Sequence, residues 1–295
     1  MNPVIHFVAG TPRSGSTLLM NILGQNPRHF VTPTNGLLDS ISFIRDNWVN
    51  NETWVAQGLD TVRPRIPNLL RAMLYGFYQN ELGTGKVVFD KNRGWTAQIE
   101  LLEALFNRPV KVICPIRDVR AIAASFEKLY RADPISRRFG SRGGPGSMDM
   151  YRQAQTIDGR ARLMLQNGDV GLSVSWIRDV FNKGLGDRLV LIPYRELTTK
   201  PEVALNYLHQ QLGLPPFEYD FENVEQLTVE DDILYGWGPN LHRIRSRVEP
   251  QNGVPWEGVL SPETVKWIGE EFKDINRLAS FQLESPGSRQ EVACR

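Results

Sequence analysis

Cysteine is scarce in this chain. Cys114 lies within an apolar run and Cys294 near the end. Two cysteines so placed supply neither a disulfide framework nor metal-ligand spacing, and they fit a reducing compartment. Charge imbalance is nearly absent too. The formal net charge is +1, so no global field draws the protein to nucleic acid or a membrane surface, and anion binding must come from local clusters. No apolar run approaches the roughly 20 residues of a membrane span, and no internal repeat is visible. The first β-rich run starts at Val4, leaving no room for a signal peptide. These absences set the expectation of a cytoplasmic protein with no nucleic-acid partner and no transmembrane segment.

What is present is an ordinary globular composition. Over 295 residues, 41% are hydrophobic, enough for a substantial core. One domain over residues 1–282 is expected, with 283–295 as a disordered tail. Candidate strands are Val4–Ala9, Phe30–Thr32, Lys86–Asp90, Val110–Ile116 and Arg188–Tyr194. Three of them are apolar nearly throughout, the pattern of strands covered on both faces of a parallel sheet. Helical patterns fall between and after them, at Ser16–Gln25, Ile66–Leu82, Thr96–Phe106, Val119–Tyr130, Tyr151–Asn167, Ser173–Lys183 and Pro201–Leu212, where Gly213 is a stop. A closing helix over Pro262–Arg277 is capped by Ser261. This alternation predicts a doubly wound α/β fold: a P-loop-like, three-layer arrangement with a central parallel sheet, helices on both faces and a helical, loop-rich C-terminal part. In such sheets ligands bind beyond the carboxyl ends of the strands. Two stretches resist the scheme. Arg137–Ser147 is rich in arginine and glycine and reads as a mobile surface loop. Tyr235–Gly258 mixes basic and aromatic residues.

The most telling local pattern is Gly10-Thr11-Pro12-Arg13-Ser14-Gly15-Ser16-Thr17 after an apolar run. Gly10 and Gly15 have the spacing of the phosphate-binding G-x-x-x-x-G-K-S/T loop, but Ser16 stands where the lysine belongs. Backbone N–H groups over Arg13 to Thr17, the helix start and the Arg13 fork still suit a phosphate. The missing lysine points away from a nucleoside triphosphate and toward another phosphate donor. Two further strand ends deliver cations. Val87 to Asp90 is followed by Lys91, a candidate to neutralise charge on a leaving oxygen. Val110 to Ile116 is followed by Arg117, and Ser125 lies about two helical turns further on, so the two can grip one anion. Taken alone, Lys91 equally suits a solvated loop lysine, while for Arg117 and Ser125 the plainer reading wins, a helix start with exposed Asp118 and Arg120 and a small packing serine.

Together the blocks resemble the sulfotransferases that use 3′-phosphoadenosine 5′-phosphosulfate (PAPS), most of all the tyrosylprotein and carbohydrate branch. The loop Thr11 to Leu19 is similar to the one that holds the 5′-phosphosulfate, which implies a cofactor-binding role for Arg13, Ser14, Gly15, Ser16 and Thr17. Asp90-Lys91 resembles the segment whose lysine assists the leaving group. Ile116 to Ala121 with Ser125 resembles the 3′-phosphate segment, implicating Arg117 and Ser125. Ile192 to Leu197 resembles the segment whose tyrosine contacts the nucleotide, here Tyr194. The blocks stand in family order across about two-thirds of the chain. A late basic loop closes over the nucleotide in that family, and Arg243, Arg245 and Arg247 match it best.

The resemblance implies an enzyme moving a sulfuryl group from PAPS to a hydroxyl or amine of a carbohydrate, lipid, small natural product or protein side chain, with no metal. Catalysis would rest on Lys91, Arg13 and a base. The glutamate that tyrosylprotein sulfotransferases carry is absent from the matching stretch around Thr34. Asp39, His29 and His242 are the candidates, with His242 preferred. Trp48, Trp54, Trp95 and Trp237 are candidates to line the acceptor or adenine pocket. Two other readings stay open: a P-loop kinase using Mg-ATP, and a non-catalytic module that binds a nucleotide or sulfated ligand.

Overall fold

Three of the strands are apolar at consecutive positions, and the structure shows why. The computed structural model describes residues 4–132, 152–166, 168–235, 240–251 and 253–283. The Arg137–Ser147 loop, Trp237 and Cys294 lie outside the described residues. Five strands, β1 (Ile5–Val8), β2 (His29–Thr34), β3 (Val87–Lys91), β4 (Val112–Ile116) and β5 (Leu189–Pro193), form one sheet in the order β2-β3-β1-β4-β5. Every pairing is parallel. Phe7, Val88, Val112, Cys114 and Leu191 face one apolar cluster. Their neighbours Val8, Phe89, Ile113, Val190 and Ile192 face the other. A sheet buried on both sides needs apolar residues at consecutive positions, which produces the continuous runs in the sequence.

The first cluster sits under helices such as Ile66–Phe77, Ile99–Phe106, Val119–Ala132 and Asp169–Asn182. The second is covered by Ser16–Leu23 and Pro201–Leu212. The chain is therefore an α/β fold of three layers. With β1 at the centre, the crossover from β1 leads to one side and that from β3 to the other. The loop after β1 thus lies at the point where the winding reverses, the favoured ligand position in open sheets.

Several elements differ from expectation. The predicted helix Ile66–Leu82 ends at Phe77. Tyr78 leaves helical geometry, and a short helix, Gln79–Gly83, follows. Tyr78 is buried and its hydroxyl donates to Asp90 at 2.5 Å, an anchor that competes with a continued helix. The closing helix divides at Phe272 into Pro262–Glu271 and Lys273–Ala279, with Ser261 capping as expected at 3.1 Å. The pattern at Tyr151–Asn167 is helical over Ile157–Gln166, and its two end residues lie outside the described residues. Helices at Leu37–Asn47, Glu52–Gln57 and Leu59–Val62 were not legible in the sequence. Leu283, the first residue of the expected tail, is buried, and its N–H donates to Glu196.

Candidate active site

The loop after β1 is held open by its glycines. Gly10 has φ +126°, and a Cβ there would stand 2.3 Å from the Pro115 carbonyl oxygen of β4. That oxygen accepts the Thr11 N–H at 3.2 Å. Gly15 (φ +88°) precedes the helix Ser16–Leu23, and a Cβ there would meet the Tyr194 ring at 2.8 Å. Ser14 is buried, and its hydroxyl donates back to the Thr11 carbonyl at 2.5 Å, closing the turn from inside. The helix has neither a side-chain N-cap nor an acid in its first turn. Its first N–H groups therefore keep their positive end for a ligand.

Arg13 takes a left-handed backbone (φ 57°), costly for a residue with a Cβ. Its side chain spans to Ser125, whose Oγ accepts the Nε–H at 3.1 Å, and to the Leu241 carbonyl. Arg117 donates to the Arg13 carbonyl at 2.9 Å and to the Gln251 side chain, and its guanidinium lies 4.1 Å from the centre of the Tyr194 ring. Burial pushes both arginines below their usual values. The Arg117 Nε and the Thr11 hydroxyl are buried without a partner. Groups of this kind are satisfied by an anion that brings several acceptor oxygens.

Lys91 ends β3 opposite Val8 of β1 and Thr34 of β2. Its Nζ donates to Glu230 at 3.0 Å and to the Thr17 hydroxyl at 3.3 Å. Glu230 also accepts the Thr34 N–H at 2.9 Å and the Tyr235 hydroxyl at 3.0 Å, and His242 Nδ1 lies 3.6 Å away. Burial alone raises the Glu230 carboxyl. The Lys91 charge, the Thr34 amide and His242 outweigh it and hold the group at about 2. Burial lowers Lys91, against the pull of Glu230. His242 Nδ1 donates to Asp232 at 2.6 Å, and the His242 N–H donates to the same carboxylate at 2.9 Å. Burial and Lys91 push His242 below its usual value, against Glu230 and Asp232. With Nδ1–H committed to Asp232, Nε2 is the ring's free acceptor.

Arg13, Gly15, Ser16, Thr17, Lys91, Arg117, Ser125, Tyr194, His242 and the three late arginines border one cavity of about 630 Å³, a volume suited to a nucleotide-sized ligand, and buried Ser14 does not. Arg243, Arg245 and Arg247 line it from exposed positions. Arg245 pairs with Glu249 at 2.8 Å and Arg247 with Glu222 at 2.7 Å. Of the three candidate bases only His242 is there. Asp39 is exposed away from the cavity, and His29 is buried at the start of β2, against Asn26 and the Leu23 carbonyl. Trp95 is core, fully buried against Phe7, with its indole N–H on Asp90 at 3.0 Å. Trp48 and Trp54 pack against the core and do not line the cavity. Glu230 and Asp232 were missed. Their signal was Glu230-Asp231-Asp232 ahead of the basic loop, a run that resembles any solvated turn.

The fold and this cavity define a class of α/β proteins that present an anion-suited site beyond the carboxyl ends of a parallel sheet. The sulfotransferase family model matches residues 5–219, and the chain belongs to that family. Among solved structures it is similar to the sulfotransferase domain from the Synechococcus PCC 7002 olefin synthase, at 18% identity and TM-score 0.52, covering 92% of this chain and 94% of that one. It is also similar to the sulfotransferase domain from the curacin biosynthetic pathway, at 16% identity and TM-score 0.56, covering 92% and 98%. At these identities the likeness concerns the fold. No curated protein matches the sequence.

Proposed function

We propose that the protein transfers a sulfuryl group from PAPS to an acceptor hydroxyl or amine. The observation that carries the reading is the convergence of four strand ends on one cavity. The loop after β1, Lys91 after β3, Arg117 after β4 and Tyr194 after β5 meet there. The first N–H groups of the helix Ser16–Leu23, with Ser16 and Thr17, suit the 5′-phosphosulfate. Arg13, Ser125 and Arg117 form one connected group suited to the 3′-phosphate, with Tyr194 beside it. Arg13 thus serves the far phosphate as well as its own loop. Arg243, Arg245 and Arg247 border the cavity from the loop that would close over the nucleotide.

In the chemical step the bond from the acceptor oxygen or nitrogen to sulfur forms as the S–O bond to the 5′-phosphate breaks. The acceptor proton passes to His242 Nε2, and Asp232 steadies the resulting imidazolium. Lys91, 3.3 Å from Thr17 at the helix start, meets the charge that grows on the leaving phosphate oxygen. The His242–Asp232 pair gives the reaction the base that the β2 stretch lacks.

Labelled PAPS incubated with candidate acceptors is expected to give a sulfated product. 3′-Phosphoadenosine 5′-phosphate is expected to raise Tm well above any shift from adenosine diphosphate, since ligation at 100 times Kd adds about 2.7 kcal/mol. Equal shifts for the two nucleotides would remove the 3′-phosphate site. A shift only with Mg-ATP would favour the kinase reading.

A further inference from the structure

Glu230 occupies the place where the β2 stretch supplies no acid. Its Oε1 accepts the Thr34 backbone N–H, yet it comes from a segment almost two hundred residues later in the chain. Each of its oxygens is engaged. Oε1 takes Thr34 and Lys91, and Oε2 takes the Tyr235 hydroxyl and lies 3.6 Å from His242 Nδ1. A carboxylate this fully hydrogen-bonded is a poor proton acceptor, so it does not compete with His242 as base. It does touch both groups that the chemistry needs. The other charges nearby are Asp232, which holds the same His242 Nδ1 at 2.6 Å, and Arg93, whose charge bears on Lys91. Neither bonds to both Lys91 and His242.

We infer that Glu230 is the positioning carboxylate of the site: it aims the Lys91 ammonium at the helix start and lends its charge to His242. The inference rests on the sulfotransferase reading of the cavity. Physically, a buried ammonium without a partner sheds its proton, and Lys91 is almost wholly out of solvent, with a side-chain exposure of 7%. Glu230 keeps it charged and within 3.3 Å of Thr17. The same charge offsets the Lys91 field that bears on His242.

Glu230→Gln keeps the shape and removes the charge. The pH profile of kcat/KM should then move acidward on both limbs, by about one unit or more for loss of an opposite charge in contact. The basic limb falls because Lys91 loses its partner. The acidic limb falls because His242 deprotonates more readily. A lower plateau with both limbs unmoved would mean a structural role only, and would overturn the inference. Should the Gln variant not fold, Glu230→Asp decides: limbs held within about half a unit support the role of charge, and displaced limbs overturn it. The His242 ring titration, read by NMR on wild type and variant, needs no turnover. A downward shift supports the inference and an unchanged curve sinks it. Absence of any sulfated product from the wild type would instead count against the proposed function, and the NMR comparison would still decide the role of Glu230.

Discussion

At the scale of single residues, the proposed chemistry divides between a base and a charge. Replacing His242 by Ala removes the proton acceptor, and turnover should fall by about 10²- to 10⁴-fold, the usual contribution of a positioned general base. Binding of the desulfated nucleotide, measured by its Tm shift, should persist. Asp232→Asn should lower kcat in the same sense, because an amide cannot stabilise the imidazolium; full activity would remove Asp232 from the dyad. Lys91→Ala should cost about 10²- to 10³-fold in kcat, the range for a lost electrostatic contact to a developing charge, in a protein that still melts cooperatively. Lys91 and Arg117 were legible in the sequence because each follows a candidate strand, whose end fixes where its next residue points, and Tyr194 through the resemblance of its segment. Glu230 and Asp232 were not. They reach Lys91 and His242 from a segment outside the regular strand–helix alternation, where no periodicity ties position in the chain to position in space.

At the scale of elements, the two loop glycines carry different constraints. Gly10→Ala would drive a Cβ to 2.3 Å from the Pro115 carbonyl, whose oxygen holds Thr11. Backbone cannot yield as a side chain can, so a loss of about 1–3 kcal/mol in stability is expected. Gly15→Ala meets a movable neighbour, the Tyr194 ring at 2.8 Å. Its effect should fall more on nucleotide affinity than on Tm. Gly184, also at positive φ but with open space around its Cβ direction, is the control: Gly184→Ala should cost only the left-handed backbone term of about 1–2 kcal/mol. A Gly15 variant that binds nucleotide as tightly as wild type would separate Tyr194 from the site. The strands β1, β4 and β5 could be read because burial on both faces writes itself as nearly continuous apolar sequence. The helix Leu37–Asn47 could not. Leu37, Leu38 and Ile41 are buried with Ile44 packed beside them on the same face, but the stripe is short and Phe43, 70% exposed, blurs it.

At the scale of the whole molecule, stability should depend on pH through histidines that lie apart from the cavity. His6 on β1 is partly buried, but its Nε2 is out of solvent without a partner, and its ring lies 5.3 Å from Phe89. Burial first, then His29 and Arg108, pushes it to about 4. The His29 ring lies 4.9 Å from that same phenylalanine ring and 6.1 Å from His209. Burial first, then His209, pushes it to about 4 against the Leu23 carbonyl. The unfolded chain binds these protons near 6.5, so between 6.5 and 4 it holds more protons than the fold does. Stability is thus fully present above about 6.5 and falls as pH drops toward 4. The gap corresponds to about 3 kcal/mol per ring at its limit, and mutual repulsion makes the two protonations interdependent. Urea midpoints should be level from pH 8 to 7 and decline steadily from 6.5 to 4.5. His6→Phe, which leaves no nitrogen to protonate, should flatten that decline and exceed wild type at pH 5. If wild type kept the same midpoint at pH 7 and pH 5, these rings would not be held neutral by the fold, and a decline that His6→Phe left unchanged would have to come from other groups.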